Sequence, residues 1–197
     1  FRSERAPPAP LPSASPRDQI TSGEPMKMQI DPLVVTDLPE VERIEALSFP
    51  TPWPISAYQA ELLENQLARY IAARADGELV GFAGIWLMID EAHVSTIAVD
   101  PRFRSRGVGT RLLLGLLDLA RAGGAAVATL DVRPTNHDAI RLYDRAGFKV
   151  VGRRVRYYED TGEDALIMTT GPLDSKQQAA QESILRNASR EQSEGAQ

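Results

Sequence analysis

The segment RFRSRGVGT sets three arginines (Arg102, Arg104, Arg106) at alternate positions and two glycines (Gly107, Gly109) one residue apart, just before the leucine-rich run RLLLGLLDLA. A helix start leaves its first amides without backbone partners and carries partial positive charge. Glycines there lack the Cβ atoms that would hold an anion away, and arginines add charge around it. That combination suits phosphate oxygens. Three kinds of cradle share these ingredients. A P-loop needs Lys and then Ser or Thr after its last glycine, whereas Gly109 is followed by Thr110 and Arg111. A dinucleotide fingerprint needs a third glycine where Leu112 stands, and repeated βαβ units that this chain lacks; Asp131 mimics only its ribose-binding acid. The spacing actually present is R-x-x-G-x-G: Arg104, Gly107, Gly109.

Further along, Asp131 ends a strand-like run, and Asn136 and Tyr143 lie seven residues apart, on one face of a helix two turns long. A carboxylate can accept a proton and a phenol can return one. Each has a plainer role beside this one. Asp131 can pair with Arg133, Asn136 can cap a helix, and Tyr143 can fill a core with its hydroxyl bonded.

The elements that must position these groups are legible from pattern. LVVT reads as a strand, DLPEVERIEALSF as a helix with Pro39 in its first turn, FPTPWP as a stiff loop, and ISAYQAELLEN as a second helix. ARYIAARA, ELVGFAGIWLMI and AHVSTIAV read as strands, with Asp76–Gly77 turning the first hairpin. After the leucine helix come a strand AAVATLDV, a helix NHDAIRLYDRA stopped by Gly147, and strands FKVVGRRVRYY and DALIMTT. The order β-α-α-β-β-β-α-β-α-β-β predicts an α+β domain around one mixed sheet.

Composition bounds the rest. Apolar residues make up 43% and charged residues 25% of 197, which fits one globular domain. There is no Cys, and His93 and His137 are the only histidines, which argues against disulfides, thiolate metal sites and a histidine metal cluster. No apolar run reaches the roughly 18 residues of a membrane span. The net charge of −5 hides an asymmetry: residues 29–99 carry 3 basic and 11 acidic side chains, and residues 100–173 carry 12 and 9. Charge alone does not indicate nucleic-acid binding. Residues 1–27, proline-rich and without the apolar core of a signal peptide, are expected to be a disordered leader, residues 28–173 the domain, and residues 174–197 a polar disordered tail.

The placement of Arg104, Gly107 and Gly109 between STIAV and a leucine helix resembles the pyrophosphate loop of the GCN5-related N-acetyltransferase (GNAT) superfamily. TLDVRPTNHDAIRLYDRAGF is similar to the superfamily's next strand and helix, whose usual form is L-x-V-x-x-x-N-x-x-A-x-x-L-Y-x-x-x-G-F. RRVRYYEDTGEDALIM resembles the tail of protein N-terminal acetyltransferases, notably the bacterial ribosomal-protein-alanine type. The resemblance spans about residues 29–171.

The resemblance implies a mixed central sheet flanked by helices, with a splayed strand pair that holds acetyl-CoA as acetyl donor, and no metal. It implies that backbone groups of Ile97, Ala98 and Val99 pair with the pantetheine arm. Arg104 and the amides of Ser105, Arg106, Gly107, Val108, Gly109 and Thr110 would wrap the pyrophosphate, and Asn136 would bond the pantetheine. Tyr143 takes the place of the general acid. Asp131 stands where ribosomal-protein-alanine enzymes carry a glutamate base; its side chain is one methylene shorter, so a water relay would be needed. Glu91 and His93 are the reserve candidates for the base. Phe49, Trp53, Tyr157 and Tyr158 would contact the acceptor, though Phe49 and Trp53 can equally staple two helices to the core. The implied partner is a protein N-terminus, that of a small-subunit ribosomal protein beginning with alanine, acetylated in the cytoplasm by a monomer or weak oligomer without membrane or nucleic-acid contact. Two other readings stay open: an acetyltransferase for small amines, and a non-catalytic acyl-CoA-binding module.

Overall fold

The computed structural model describes residues 27–194. The leader expected over residues 1–27 thus falls, but for Lys27, outside the described residues. Among the described residues, seven strands form one sheet in the order β1-β2-β3-β4-β5-β7-β6. They are β1 (Met28–Pro32), β2 (Ala68–Ala75), β3 (Glu78–Leu87), β4 (Glu91–Val99), β5 (Val127–Val132), β6 (Phe148–Tyr158) and β7 (Glu163–Thr170). Neighbours are antiparallel except β4 and β5, which run parallel. The expected α+β architecture around one mixed sheet is the one that forms.

Helices cover both faces. α1 (Leu38–Ser48) and α2 (Ile55–Leu63) bury Val41, Ile44 and Tyr58 against Tyr70, Ala72, Phe82 and Ala98 of the sheet. α3 (Val108–Ala122) drives Leu112, Leu113, Leu116 and Leu117 into the opposite face beside Ala92, Val94, Leu130 and Met168. Each such leucine contributes roughly 1.5–3 kcal/mol by leaving water. α4 (His137–Arg145) lies on that same side and packs against β6.

Two elements depart from the sequence reading. The first strand forms at Met28–Pro32, not over Leu33–Thr36, where a 3-10 turn runs Val35–Asp37. Asp37 decides this: its carboxylate accepts from the Val34 amide at 3.0 Å and pairs with Arg74 at 2.8 Å, which bends the chain away from β2. The tail, expected to be disordered, instead continues as α5 (Ser175–Glu194). Asp174 accepts from the Gln177 amide at the helix start, and the run QQAAQESILR consists mostly of good helix formers. α5 rests on the outer side of α3, with Leu185 against the core, and the buried Gln181 reaches the Ala146 carbonyl and Arg121. Its polar side chain is tolerated in the interior because both ends of the amide are bonded.

Candidate active site

The basic turn follows β4. Asp100 is fully buried and accepts from the Arg102 amide at 2.9 Å, from the Arg102 guanidinium, and from Arg43 of α1 at 2.7 Å. Burial works to raise its pKa, but these hydrogen bonds outweigh burial and hold the carboxyl well below the usual carboxylate range. Arg102, which also pairs with Glu78, is therefore an anchor of the turn, not a cradle residue as its spacing suggested. Beyond it, Ser105 (φ 59°) and Gly107 (φ 73°) are left-handed, and Gly107 caps α3. Left-handed residues interleaved in such a turn make successive amides converge on a concavity that suits an anion. Arg104 bends back to the Val99 carbonyl (3.2 Å) and Ser48 (3.4 Å), and Arg106 lies over Phe103. Val108 is buried, while Thr110 is half-buried in the first turn of α3. A Cβ on Gly109 would meet Leu142 of α4 at 3.4 Å, an ordinary contact, so the packing of the two helices does not itself demand glycine here.

The turn stands at the open end of a gap in the sheet. β4 and β5 pair from Glu91–Val127 to Val94–Leu130 and then part. Ile97, Ala98 and Val99 remain paired with Ala83, Phe82 and Gly81 of β3, and among the described residues their other edge has no strand partner. A bulge at Ser95, where the register slips between Gly84 and Ile85, turns the strand at the start of the gap. A splayed edge of this kind presents backbone donors and acceptors to a linear ligand. The α3 concavity and this edge together fit a pyrophosphate joined to an extended amide-bearing arm.

Tyr143 packs on the α3 side of the sheet, and Asn136 begins the same helix. Asn136 caps α4 through Oδ1, which accepts from the Ala139 amide at 3.2 Å, leaving its amide nitrogen as the group that can reach outward. Tyr143 tilts against Phe148 at 5.8 Å, and burial raises its pKa above that of an ordinary phenol.

Asp131 and His93 occupy the other face, since Val94 and Leu130, their neighbours along each strand, turn toward α3. Thr129 gives its one hydroxyl hydrogen to Glu91 (2.7 Å), so at the 3.2 Å contact it accepts from Nδ1 of His93. This tautomer makes Nε2 the acceptor nitrogen of the ring. Burial lowers the His93 pKa, against the pull of Asp131 and Glu91, and keeps the ring neutral at pH 7. Trp86 stacks on it at 5.7 Å, and Glu61 holds the indole N–H at 2.6 Å. Asp131 Oδ1 accepts from Arg154 at 3.0 Å, not from Arg133.

The walls of this polar floor are the loop of residues 49–54 and the β6–β7 hairpin. Phe49 packs into the α1–α2 core, whereas Trp53 is 42% exposed and lines an open recess of about 440 Å³ with Pro54, Ala57, Ala60 and Glu61. Glu45 secures the loop: it is buried and accepts from the Trp53 amide (2.9 Å) and the Tyr58 hydroxyl (2.8 Å), with its pKa raised by burial. Tyr157 and Tyr158 meet edge to face at 5.1 Å. Burial pushes the Tyr158 phenol up to about 12 despite the Arg133 guanidinium 3.7 Å from its ring centre. Tyr158 lies within electrostatic reach of both Tyr143 and Asp131. Of the expected acceptor residues, Tyr158 thus stands near both Tyr143 and Asp131, whereas Phe49 belongs to the core and Trp53 to its own recess. Reading the sequence missed Trp86, Glu61 and Arg154 and took Arg133 only as a partner of Asp131; their contacts follow from tertiary neighbours and not from spacing along the chain.

Residues 38–148 match the model of the acetyltransferase (GNAT) family. The chain is 41% identical over 132 residues to a putative [ribosomal protein bS18]-alanine N-acetyltransferase of Bacillus subtilis, covering 67% of this chain and 87% of that protein. It is 46% identical over 121 residues to the N-alpha-acetyltransferase RimI of Mycobacterium tuberculosis, covering 59% and 74%. The crystal structure of the ribosomal-protein-S18-alanine N-acetyltransferase from Escherichia coli superposes with a TM-score of 0.69 at 33% identity, over 75% of this chain and 95% of that one. The parted β4 and β5, the turn that opens α3, and these matches lead to one conclusion: the chain is an N-acetyltransferase and belongs to the GNAT family.

Proposed function

We propose that this enzyme acetylates the α-amine of a protein N-terminus, with the N-terminal alanine of a small-subunit ribosomal protein as acceptor. The observation that carries the proposal is the polar floor of His93, Thr129 and Asp131, bounded by the 49–54 loop and the Tyr157–Tyr158 hairpin, on the face opposite Tyr143. A floor bordered by two loops that can each offer polar groups along its length suits an extended chain better than a compact amine. The names of the relatives above agree with this acceptor class.

Acetyl-CoA supplies the acyl group as a thioester. The residues that would hold it are Arg104, Ser105, Arg106, Gly107, Val108, Gly109 and Thr110 at its phosphates, and Ile97, Ala98, Val99 and Asn136 along its arm. A peptide α-amine, with a pKa of about 7.7–8.0, needs only modest help to lose its proton. Asp131 accepts that proton through a water at its second carboxylate oxygen. Tyr143 stays protonated because burial raises its pKa, and it gives its proton to the departing sulfur. A second reading assigns the base to His93, and the guanidinium already seated on Asp131 Oδ1 favours it. The Nε2 lone pair of a neutral imidazole is the competing acceptor.

Mass spectrometry of N-terminal peptides incubated with the enzyme and acetyl-CoA tests the acceptor class. Acetylation at the α-nitrogen of Ala-initiated peptides is expected. Turnover of polyamines or aminoglycosides without any peptide product would replace this reading with the small-amine one.

A further inference from the structure

Arg133 leaves the end of β5 and stands between three loops that have no strand pairing with one another. Its guanidinium reaches Asp160 at 2.8 Å, Thr161 at 2.7 Å and Glu163 at 3.2 Å, all on the β6–β7 hairpin, and lies over the Tyr158 ring at 3.7 Å. Glu163 in turn accepts from the amide (3.2 Å) and the hydroxyl (2.7 Å) of Thr135, in the loop that leads to Asn136. Asp160 also accepts from Thr51 at 3.1 Å, in the loop between α1 and α2. The Arg133 side chain is only 22% exposed, and its two carboxylate partners are similarly covered.

We propose that Arg133 is the positioning residue of the acceptor entrance, fastening the β6–β7 hairpin to the β5–α4 loop and, through Asp160, to the α1–α2 loop. This deepens the reading above and rests on it, because these loops wall the slot that an N-terminal peptide would enter. Arg133 touches no reacting atom. It acts by fixing where Tyr158 and the Thr51 loop stand. A planar guanidinium can serve two carboxylates, a hydroxyl and a ring face at once, whereas a lysine ammonium is a single point with three donors. The legs differ in strength. Arg133 holds the hairpin through several contacts, while the α1–α2 loop, secured to α1 by Glu45, is joined to the hairpin by the Thr51–Asp160 hydrogen bond, so this junction is the side that yields when an acceptor enters.

The test compares Arg133→Gln, Arg133→Lys and Thr51→Val with the wild-type full chain. Arg133→Gln is expected to raise the KM for an Ala-initiated peptide about tenfold or more, since small misplacements of positioning groups are costly. Its acetyl-CoA affinity, measured by calorimetry, should stay within about twofold, a split that a general loss of folding would not give. Arg133→Lys should recover part of the loss, and Thr51→Val should cost a smaller factor than Arg133→Gln. Amide hydrogen exchange should quicken at positions 51 and 53, the two in the proline-rich loop that carry an amide hydrogen, and over 159–162 in Arg133→Gln, and at positions 51 and 53 alone in Thr51→Val. Unchanged exchange in both segments, or donor and acceptor affinities falling together, would overturn the proposal. Exchange needs no substrate, so it decides the role of Arg133 even if the wild-type enzyme acetylates no peptide, a result that would sink the acceptor reading alone.

Discussion

Asp131 of β5 and Arg154 of β6 meet at 3.0 Å across the intervening strand β7. The Asp131 side chain is 8% exposed and Arg154 is half-exposed, so the pair sits at the edge of the acceptor floor, with one carboxylate oxygen engaged. We expect Asp131→Asn to lower kcat by about 10²-fold or more if that carboxylate is the base. His93→Gln, measured beside it, separates the two assignments. A fall of less than about threefold leaves Asp131 as base, and a fall equal to that of Asp131→Asn transfers the role to the imidazole. With His93 as base, the rate should also drop on acidification, at a pH below the ordinary imidazole value of about 6.5 because burial lowers the pKa of this ring.

Tyr143→Phe removes only the phenolic oxygen of a ring that packs on Phe148. Stability should change by less than about 1 kcal/mol, since the ring packing survives. The kcat should fall about tenfold or more with acetyl-CoA affinity intact. An unchanged rate in steady-state kinetics would remove Tyr143 from proton transfer.

Gly107 and Gly109 should respond differently to alanine. Gly107 has φ 73°, a region that costs L-residues roughly 1–2 kcal/mol, so Gly107→Ala is expected to lower both the melting temperature and CoA affinity. Gly109→Ala places its methyl 3.4 Å from Leu142, ordinary contact for a side chain that can shift, so it should leave folding almost untouched. Thermal melts with and without CoA check the contrast.

The Asp100 carboxyl is held well below its unfolded value near 3.8 by Arg102 and Arg43. Its contribution to stability is therefore complete above that pH and lost as pH falls through the depressed folded value. Asp100→Asn should destabilise the fold by about 2 kcal/mol at pH 7, in line with the loss of charge-assisted hydrogen bonds. The penalty should shrink on acidification in denaturant titrations.

Glu45 has the opposite sign. Burial raises its pKa, so the fold favours the protonated form, and this carboxyl weakens stability as pH rises from its unfolded value near 4.5 through the raised folded value. Glu45→Gln relieves the buried charge and retains an acceptor for the Trp53 amide, so its melting temperature should stay close to wild type at pH 7. Glu45→Ala strands the Tyr58 hydroxyl and that amide and should cost about 1–3 kcal/mol.

The amino-acid sequence by itself determined the elements, their order and the identity of the phosphate-type turn. These depend on neighbours in the chain: apolar periodicity in RLLLGLLDLA, Pro39 in a first helical turn, positive φ at Asp76 and Gly77, and arginine and glycine spacing before a helix. Where a local signal competed with a distant partner, the sequence reading erred. Asp37 closed a turn across LVVT with the help of Arg74, and α5 formed over a polar tail because α3 offered an apolar side to cover. Tertiary structure alone decided that β4 and β5 part after Val94, that Asp131 engages Arg154, that His93 carries its hydrogen on Nδ1, and that Arg133 ties three loops together. Each is a relation between groups tens of residues apart, set by strand register and side-chain reach, and neither quantity is encoded in the spacing of residues along one segment.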